Sequence, residues 1–161
     1  MNRLISSLLM GISLSAVAAQ DLAFEGAAGF GAFARGGKGG KIIEVTRLDE
    51  DSKNPPEGSF RWAVLQKGPR IVKFTVAGTI LLQDEVEITE PFITIDGGDA
   101  PGMGVCLRGG SLEFKNTHDI IVRYIRVRLG DETTKRKNRE HHLKRPEHSN
   151  ALDCIGLTRC H

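Results

Sequence analysis

Phe92-Ile93-Thr94-Ile95-Asp96-Gly97-Gly98 and, about 27 residues on, Ile120-Ile121-Val122-Arg123-Tyr124-Ile125-Arg126-Val127-Arg128-Leu129 are the stretches on which the fold turns. Both are rich in β-branched residues and bounded by turn formers, so both read as strands. The second is long enough for one strand or for two with a bend. Between them lie two shorter runs. Val105-Cys106-Leu107 stops at Gly109-Gly110, and Leu112-Glu113-Phe114 stops at the polar corner Lys115-Asn116-Thr117-His118. Three short strands and three corners fill about that spacing, which is the length of one coil of a solenoid whose coils pair with one another.

The same period-two texture extends in both directions. Upstream are Ile71–Val76, broken at Gly78, then Thr79–Leu82 and Val86-Glu87-Ile88; downstream is Asp153–Leu157. Farther upstream Lys41–Val45 is another β-branched strand, and the polar stretch Asp49–Gly58, with two prolines, is a surface loop. One helix interrupts the pattern. Ser59 is placed to cap Phe60–Lys67, Gly68-Pro69 stops it, and Phe60, Val64 and Leu65 share a face. Two turns do not persist alone in water, so this helix must dock on something apolar. A β-sandwich has a similar strand count. The helix favours the solenoid, because the open end of a solenoid exposes a column of apolar side chains that a helix can cover. The expected fold is all-β, a right-handed parallel β-helix with a short N-terminal capping helix. Gly26–Gly40 lacks the G-x-x-x-x-G-K-[ST] spacing of a phosphate loop and reads as a coil whose Phe30 and Phe33 cover an apolar surface.

Composition bounds the function. The chain has 161 residues, 40% apolar and 26% charged, with a formal charge of only +2, which excludes a disordered chain and a dedicated nucleic-acid binder. Met1-Asn2-Arg3, the apolar run Leu4–Val17 and the small residues Val17-Ala18-Ala19 read as a secretory signal peptide, residues 1–19. The run is too short to span a bilayer. The expectation is a monomer, secreted or periplasmic, that does not stay in a membrane after cleavage, with residues 20–161 as its domain. Its cysteines, Cys106, Cys154 and Cys160, form no C-x-x-C pair. A Cys106–Cys154 bridge is one reading; buried free thiols are the other.

Several segments together resemble one family. These are Phe24–Phe33, Gly36-Gly37-Lys38-Gly39-Gly40-Lys41, Gly58–Ala63, Gly68–Ile80, Phe92–Gly102 and Ile120–Asp131. In this order they look like the opening of secreted bacterial pectate lyases, the polysaccharide lyases with a parallel β-helix. The likeness runs from Phe24 to Asp131 and resumes at Asn150–Leu157. It implies calcium-dependent β-elimination on polygalacturonate, with calcium neutralising the sugar carboxylate. It also implies that Asp153, in Asn150-Ala151-Leu152-Asp153, is the first calcium ligand; Ala151 stands where some relatives carry a second acid. No residue matches the family's catalytic arginine. Residues 20–161 therefore read as the N-terminal portion of a lyase, with little or no catalysis alone.

Other candidates come from charge. In the stretch Lys135–Arg145, Lys135, Arg136, Lys137 and Arg139 lead a run of six bases against one acid, suited to a polymer with a carboxylate on each sugar. Asp131 and Glu132 stand at the start of that insertion as possible further calcium ligands, and His141, His142 and His148 follow within it without a recognised metal spacing. Of Arg123, Arg126 and Arg128, at least one must point outward. The rival to an enzyme is a non-catalytic β-helix module that binds an acidic polysaccharide.

Overall fold

The structure, a computed structural model, describes residues 21–130 and 154–160. Ten short strands and one helix succeed one another: β1 (Lys41–Val45), α1 (Phe60–Val64), β2 (Arg70–Phe74), β3 (Gly78–Leu81), β4 (Val86–Ile88), β5 (Ile93–Asp96), β6 (Val105–Arg108), β7 (Leu112–Lys115), β8 (Ile120–Arg123), β9 (Ile125–Arg128) and β10 (Ile155–Thr158). They form three parallel sheets: sheet A in the order β1-β2-β5-β8, sheet B in the order β3-β6-β9, and sheet C in the order β10-β7-β4. Each coil contributes one strand to each sheet. Three coils result, β2-β3-β4, β5-β6-β7 and β8-β9-β10, so the chain is a parallel β-solenoid rather than a sandwich. Ile93 pairs with Ile120 in register, as their spacing predicts.

Alternation builds the core. Along β2, β5, β6 and β7 every second residue is buried, so Val72, Phe74, Ile93, Ile95, Val105, Leu107, Leu112 and Phe114 stack inward. Each such side chain contributes roughly 1.5–3 kcal/mol on leaving water. The corners repeat as regularly as the strands. Phe92 and Asp119, which precede paired strands β5 and β8, have φ 56° and 54°. Asn116 and Arg159, which follow paired strands β7 and β10, have φ 51° and 52°. The stretch Ile120–Leu129 is two strands, because Tyr124 takes φ 57° and turns the chain from sheet A to sheet B in one residue.

The cap is shorter than predicted. Helix α1 ends at Val64, and Leu65 is its C-cap, exposed rather than on the docking face. Ser59 caps the other end by accepting from the Trp62 N–H at 3.3 Å. Phe60 stacks on Phe74 with centroids 6.0 Å apart. What ends the helix is Arg70. Its buried guanidinium donates to the carbonyls of Val64 and Gly68 and, one coil on, Glu90 and Pro91. Those bonds satisfy the last turn, and burial lowers the Arg70 pKa. A second buried arginine, Arg61, pairs with Glu50 and Asp84 and fastens the helix to the first coil.

The glycine-rich coil lies against sheet A. A Cβ at Gly37 would sit 1.9 Å from the Arg70 carbonyl, so only glycine permits that approach. The Gly37 N–H donates to Thr94 Oγ1 at 2.9 Å. Phe30 and Phe33 do not cover an apolar surface: Phe30 is fully exposed and Phe33 half-exposed, since the 3-10 turn Phe30–Phe33 that carries them buries only Ala32. Cys106, Cys154 and Cys160 are free thiols, all half-buried. No helix among the described residues is long and apolar enough to cross a membrane.

Candidate functional site

The two corners between sheets B and C differ sharply. In the second coil, Gly109-Gly110-Ser111 joins β6 to β7. In the third, the connection from β9 to β10 runs from Leu129 to Cys154. Its two roots are pinned to the coil below: Gly109 N–H donates to the carbonyls of Arg128 and Leu129, and Leu112 N–H donates to that of Cys154 at 3.0 Å. Lys135, Arg136, Lys137, Arg139 and Asp153 all fall in this connection and lie outside the described residues, as do Asp131, Glu132, His141, His142 and His148. Asp153 directly precedes Cys154, at the entrance to the third strand of sheet C.

Three outer faces surround this corner, and their charges differ. On sheet C, Glu87, Glu113 and Gly156 form one outward column, with Lys115 and Thr158 beside it. Lys115 Nζ lies 2.7 Å from Glu87 and 3.4 Å from Glu85, and its bond to Glu87 above all raises its pKa. Glu113 lies flat across β10; a Cβ on Gly156 would come within 2.2 Å of its carboxylate. On sheet A the cations are matched. Lys73 meets Asp99 at 2.5 Å, a hydrogen bond that raises the lysine pKa and lowers that of the aspartate. Arg123 faces Asp96 at 3.2 Å and sits between the rings of Phe24 and Tyr124, 5.3 and 4.8 Å from their centroids.

Sheet B is different again. Its outward columns are Thr79, Cys106, Arg126 and Leu81, Arg108, Arg128. Arg126 and Arg128 are exposed, and Arg126 Nη2 donates to the Met103 carbonyl at 2.7 Å. The bend at Tyr124 explains why Arg123 does not join them: it sends Arg123 to sheet A and leaves the other two on one face of β9. Arg108 was missed in the sequence, although the alternation of Val105-Cys106-Leu107-Arg108 holds the signal for it. Glu87, Glu113 and Lys115 were missed for the same reason: an outward position shows itself only once the register is known.

The described residues do not by themselves make a calcium centre. No group of three or more His, Cys, Asp or Glu among them is placed to hold a metal ion. Lys115 already occupies the space between Glu85 and Glu87, which leaves Glu113, one carboxylate for an ion that takes six to eight oxygens.

Comparison with known proteins bears on this geometry. Over 128 residues, 80% of the chain, it is 43% identical to a probable pectate lyase C of Aspergillus flavus. Over 109 residues, 68% of the chain, it is 47% identical to a probable pectate lyase C of Emericella nidulans. The chain is similar to pectate lyases. The matches span 29% and 24% of those two relatives, so the chain corresponds to less than a third of their length. Among solved structures, that of Jun a 1, the major allergen from cedar pollen, aligns with a TM-score of 0.54 at 28% identity, over 60% of this chain and 28% of that one. No protein-family model matches. The curated relatives here are fungal and the solved structure is a plant protein, so the likeness holds for pectate lyases at large and not for a bacterial group in particular.

Proposed function

We propose that this chain is part of a secreted pectate lyase that acts on polygalacturonate by calcium-dependent β-elimination. The observation that carries the reading is the identity to probable pectate lyases over 80% of the chain. The solenoid agrees with it, because its one long connection emerges beside the sheet C entrance where Asp153 stands. In such a reaction the C5 proton of a uronic acid leaves and the C4–O4 bond breaks, so the product carries a new C=C bond. Calcium, when bound, neutralises the C6 carboxylate. Asp153 is the candidate ligand in this chain, and the rest of the coordination lies outside the described residues. Lys135, Arg136, Lys137 and Arg139 hold the polymer's carboxylates. No arginine here matches the family's catalytic one, so the part of the work assigned to this chain is binding.

The test is ultraviolet absorbance of unsaturated uronide released from polygalacturonate, with calcium and with a chelator. The expected result is calcium-dependent product from the longer protein that contains this chain, and little from residues 20–161. Product that is indifferent to the chelator would sink the calcium reading. A second reading, a non-catalytic module for an acidic polysaccharide, is favoured by the arginines on sheet B, which do not depend on any catalytic group. Binding without product in either protein supports it.

A further inference from the structure

We propose that the outer face of sheet B, carried by Arg126 and Arg128 of β9 with Arg108 of β6, is a docking surface for a polyuronate chain. That the polymer is polygalacturonate rests on the function proposed above; the charge of the face does not.

The first argument is the absence of acid. The six outward positions of β3, β6 and β9 are Thr79, Leu81, Cys106, Arg108, Arg126 and Arg128, none of them acidic. On sheets A and C each cation just described faces a carboxylate: Lys73 has Asp99, Arg123 has Asp96, and Lys115 has Glu87. Among the described residues no carboxylate is paired with Arg126 or Arg128. Arg126 is oriented by a neutral carbonyl, that of Met103, which leaves its charge uncompensated.

The second argument is energetic. Arg108 and Arg128 are register partners on adjacent parallel strands, and Arg126 and Arg128 share one face of β9. Like charges side by side on a sheet repel and disfavour the pairing. Exposed strand positions accept many residue types, so packing does not demand arginine at either site. An anion laid across the face removes the repulsion and gains charge-assisted, bidentate hydrogen bonds.

The third argument is spacing. Adjacent strands lie about 4.8 Å apart and same-face residues along a strand about 6.7 Å apart, so the three guanidinium groups are anchored at separations comparable to one sugar unit. A polymer with one carboxylate per sugar can meet them in succession, whereas a single small anion meets one or two. Leu81, half-exposed, and Met103, 84% exposed, border the arginines and offer apolar surface to sugar C–H faces. Arg108 also lies along Gly130, where a Cβ would come within 3.1 Å of its Nε. The face therefore leads to the root of the connection that carries Lys135, Arg136, Lys137 and Arg139.

The experiment is a titration of residues 20–161 with a size-defined oligogalacturonate, by calorimetry, without calcium. The double variant Arg126→Gln, Arg128→Gln is expected to bind about tenfold more weakly or worse, with unchanged circular dichroism and Tm. Arg126→Lys with Arg128→Lys, which keeps charge but loses the fork, is expected to fall between and guards against a folding defect in the first variant. Lys73→Gln, on sheet A, is expected to bind as the parent does. Parent-like affinity in both arginine variants overturns the proposal, as does a parent chain that does not bind. If affinity falls only when Lys135, Arg136, Lys137 and Arg139 are all changed to Gln, the sheet B face is overturned and the lyase reading stands. If the arginine variants lose binding while the longer protein releases no unsaturated uronide, the face stands and the lyase reading falls.

Discussion

Phe114 and Leu157 occupy the same inward position one coil apart, paired in register on sheet C, yet Phe114 is fully buried and Leu157 is 67% exposed. The next pair repeats the contrast: Leu112 is buried, and its partner Ile155 is 39% exposed. Sequence pattern does not separate these residues, since both strands alternate in the same sense. What separates them is the neighbouring coil. Phe114 has Ile88 on one side and Leu157 on the other, whereas β10 is paired on one side only among the described strands. In a solenoid, then, burial is a property of the stack and not of the residue. The other end of the stack is closed by α1, whose Phe60, Ala63 and Val64 are wholly buried.

The sharpest way to break this comparison is to truncate both members. Phe114→Ala is expected to cost about 3–5 kcal/mol, the sum of lost transfer energy and a cavity between two coils. Leu157→Ala, at the same inward position, is expected to stay within about 0.5 kcal/mol of the parent. Urea denaturation of each variant reads both. Equal losses at the two sites would show that the third coil is covered by something beyond the described residues.

A smaller effect belongs to the closed end. Arg70→Met removes a buried donor set and leaves the carbonyls of Val64, Gly68, Glu90 and Pro91 to find other partners. The expected loss is about 2–3 kcal/mol, because the methionine recovers part of the packing. Hydrogen exchange in α1 is expected to accelerate before that in β7. Smaller again is Ser59→Ala, which deletes the hydroxyl that accepts from Trp62, at about 1 kcal/mol. Both losses are confined to the cap if the helix serves chiefly to cover the first coil. Tryptophan fluorescence reports this directly, since the sole Trp62 lies in α1.

Much of the architecture was legible because a stack repeats. The interval from Ile93 to Ile120 is the register itself, and the glycine pairs mark true corners. Less was legible wherever one residue decides a direction. Nothing in the type of Tyr124 announces a left-handed backbone, so Ile120–Leu129 could be read as one strand and its three arginines as one set. Arg108 was hidden in the same way, being one outward residue in a run of apolar ones. Phe30 was misread because an aromatic ring suggests burial, while the turn that carries it faces solvent. Asp153 and the bases from Lys135 to Arg139 were picked out by resemblance and charge, and they fall in the one connection whose interior lies outside the described residues. The fold accounts for where that connection begins and ends, and its chemistry still rests on sequence.

The smallest effect concerns what the third coil has in place of a cap. On its sheet A side the coil is covered by the N-terminal segment: a Cβ at Gly36 would meet the Ile121 side chain at 2.6 Å, and Ile121 is only 8% exposed. Asp119, at the entrance to β8, ties that segment down, accepting from the Arg35 N–H at 2.7 Å and facing His118 Nδ1 at 2.9 Å. Burial alone would raise the Asp119 pKa, but the Arg35 N–H and His118 outweigh it, and the net shift is downward. A carboxylate whose folded pKa lies below its unfolded value stabilises the native state above the unfolded pKa, near 3.9, and loses that stabilisation as pH falls through the folded value. Exchange of the Arg35 amide, corrected for its intrinsic rate, is therefore expected to lose protection as pH falls below about 4. In Asp119→Asn that acid-dependent step is expected to disappear, with protection of β7 unchanged. A variant that retains the step would assign the acid sensitivity to another carboxylate. It would also leave the N-terminal segment held on β8 by packing and the Gly37–Thr94 bond alone.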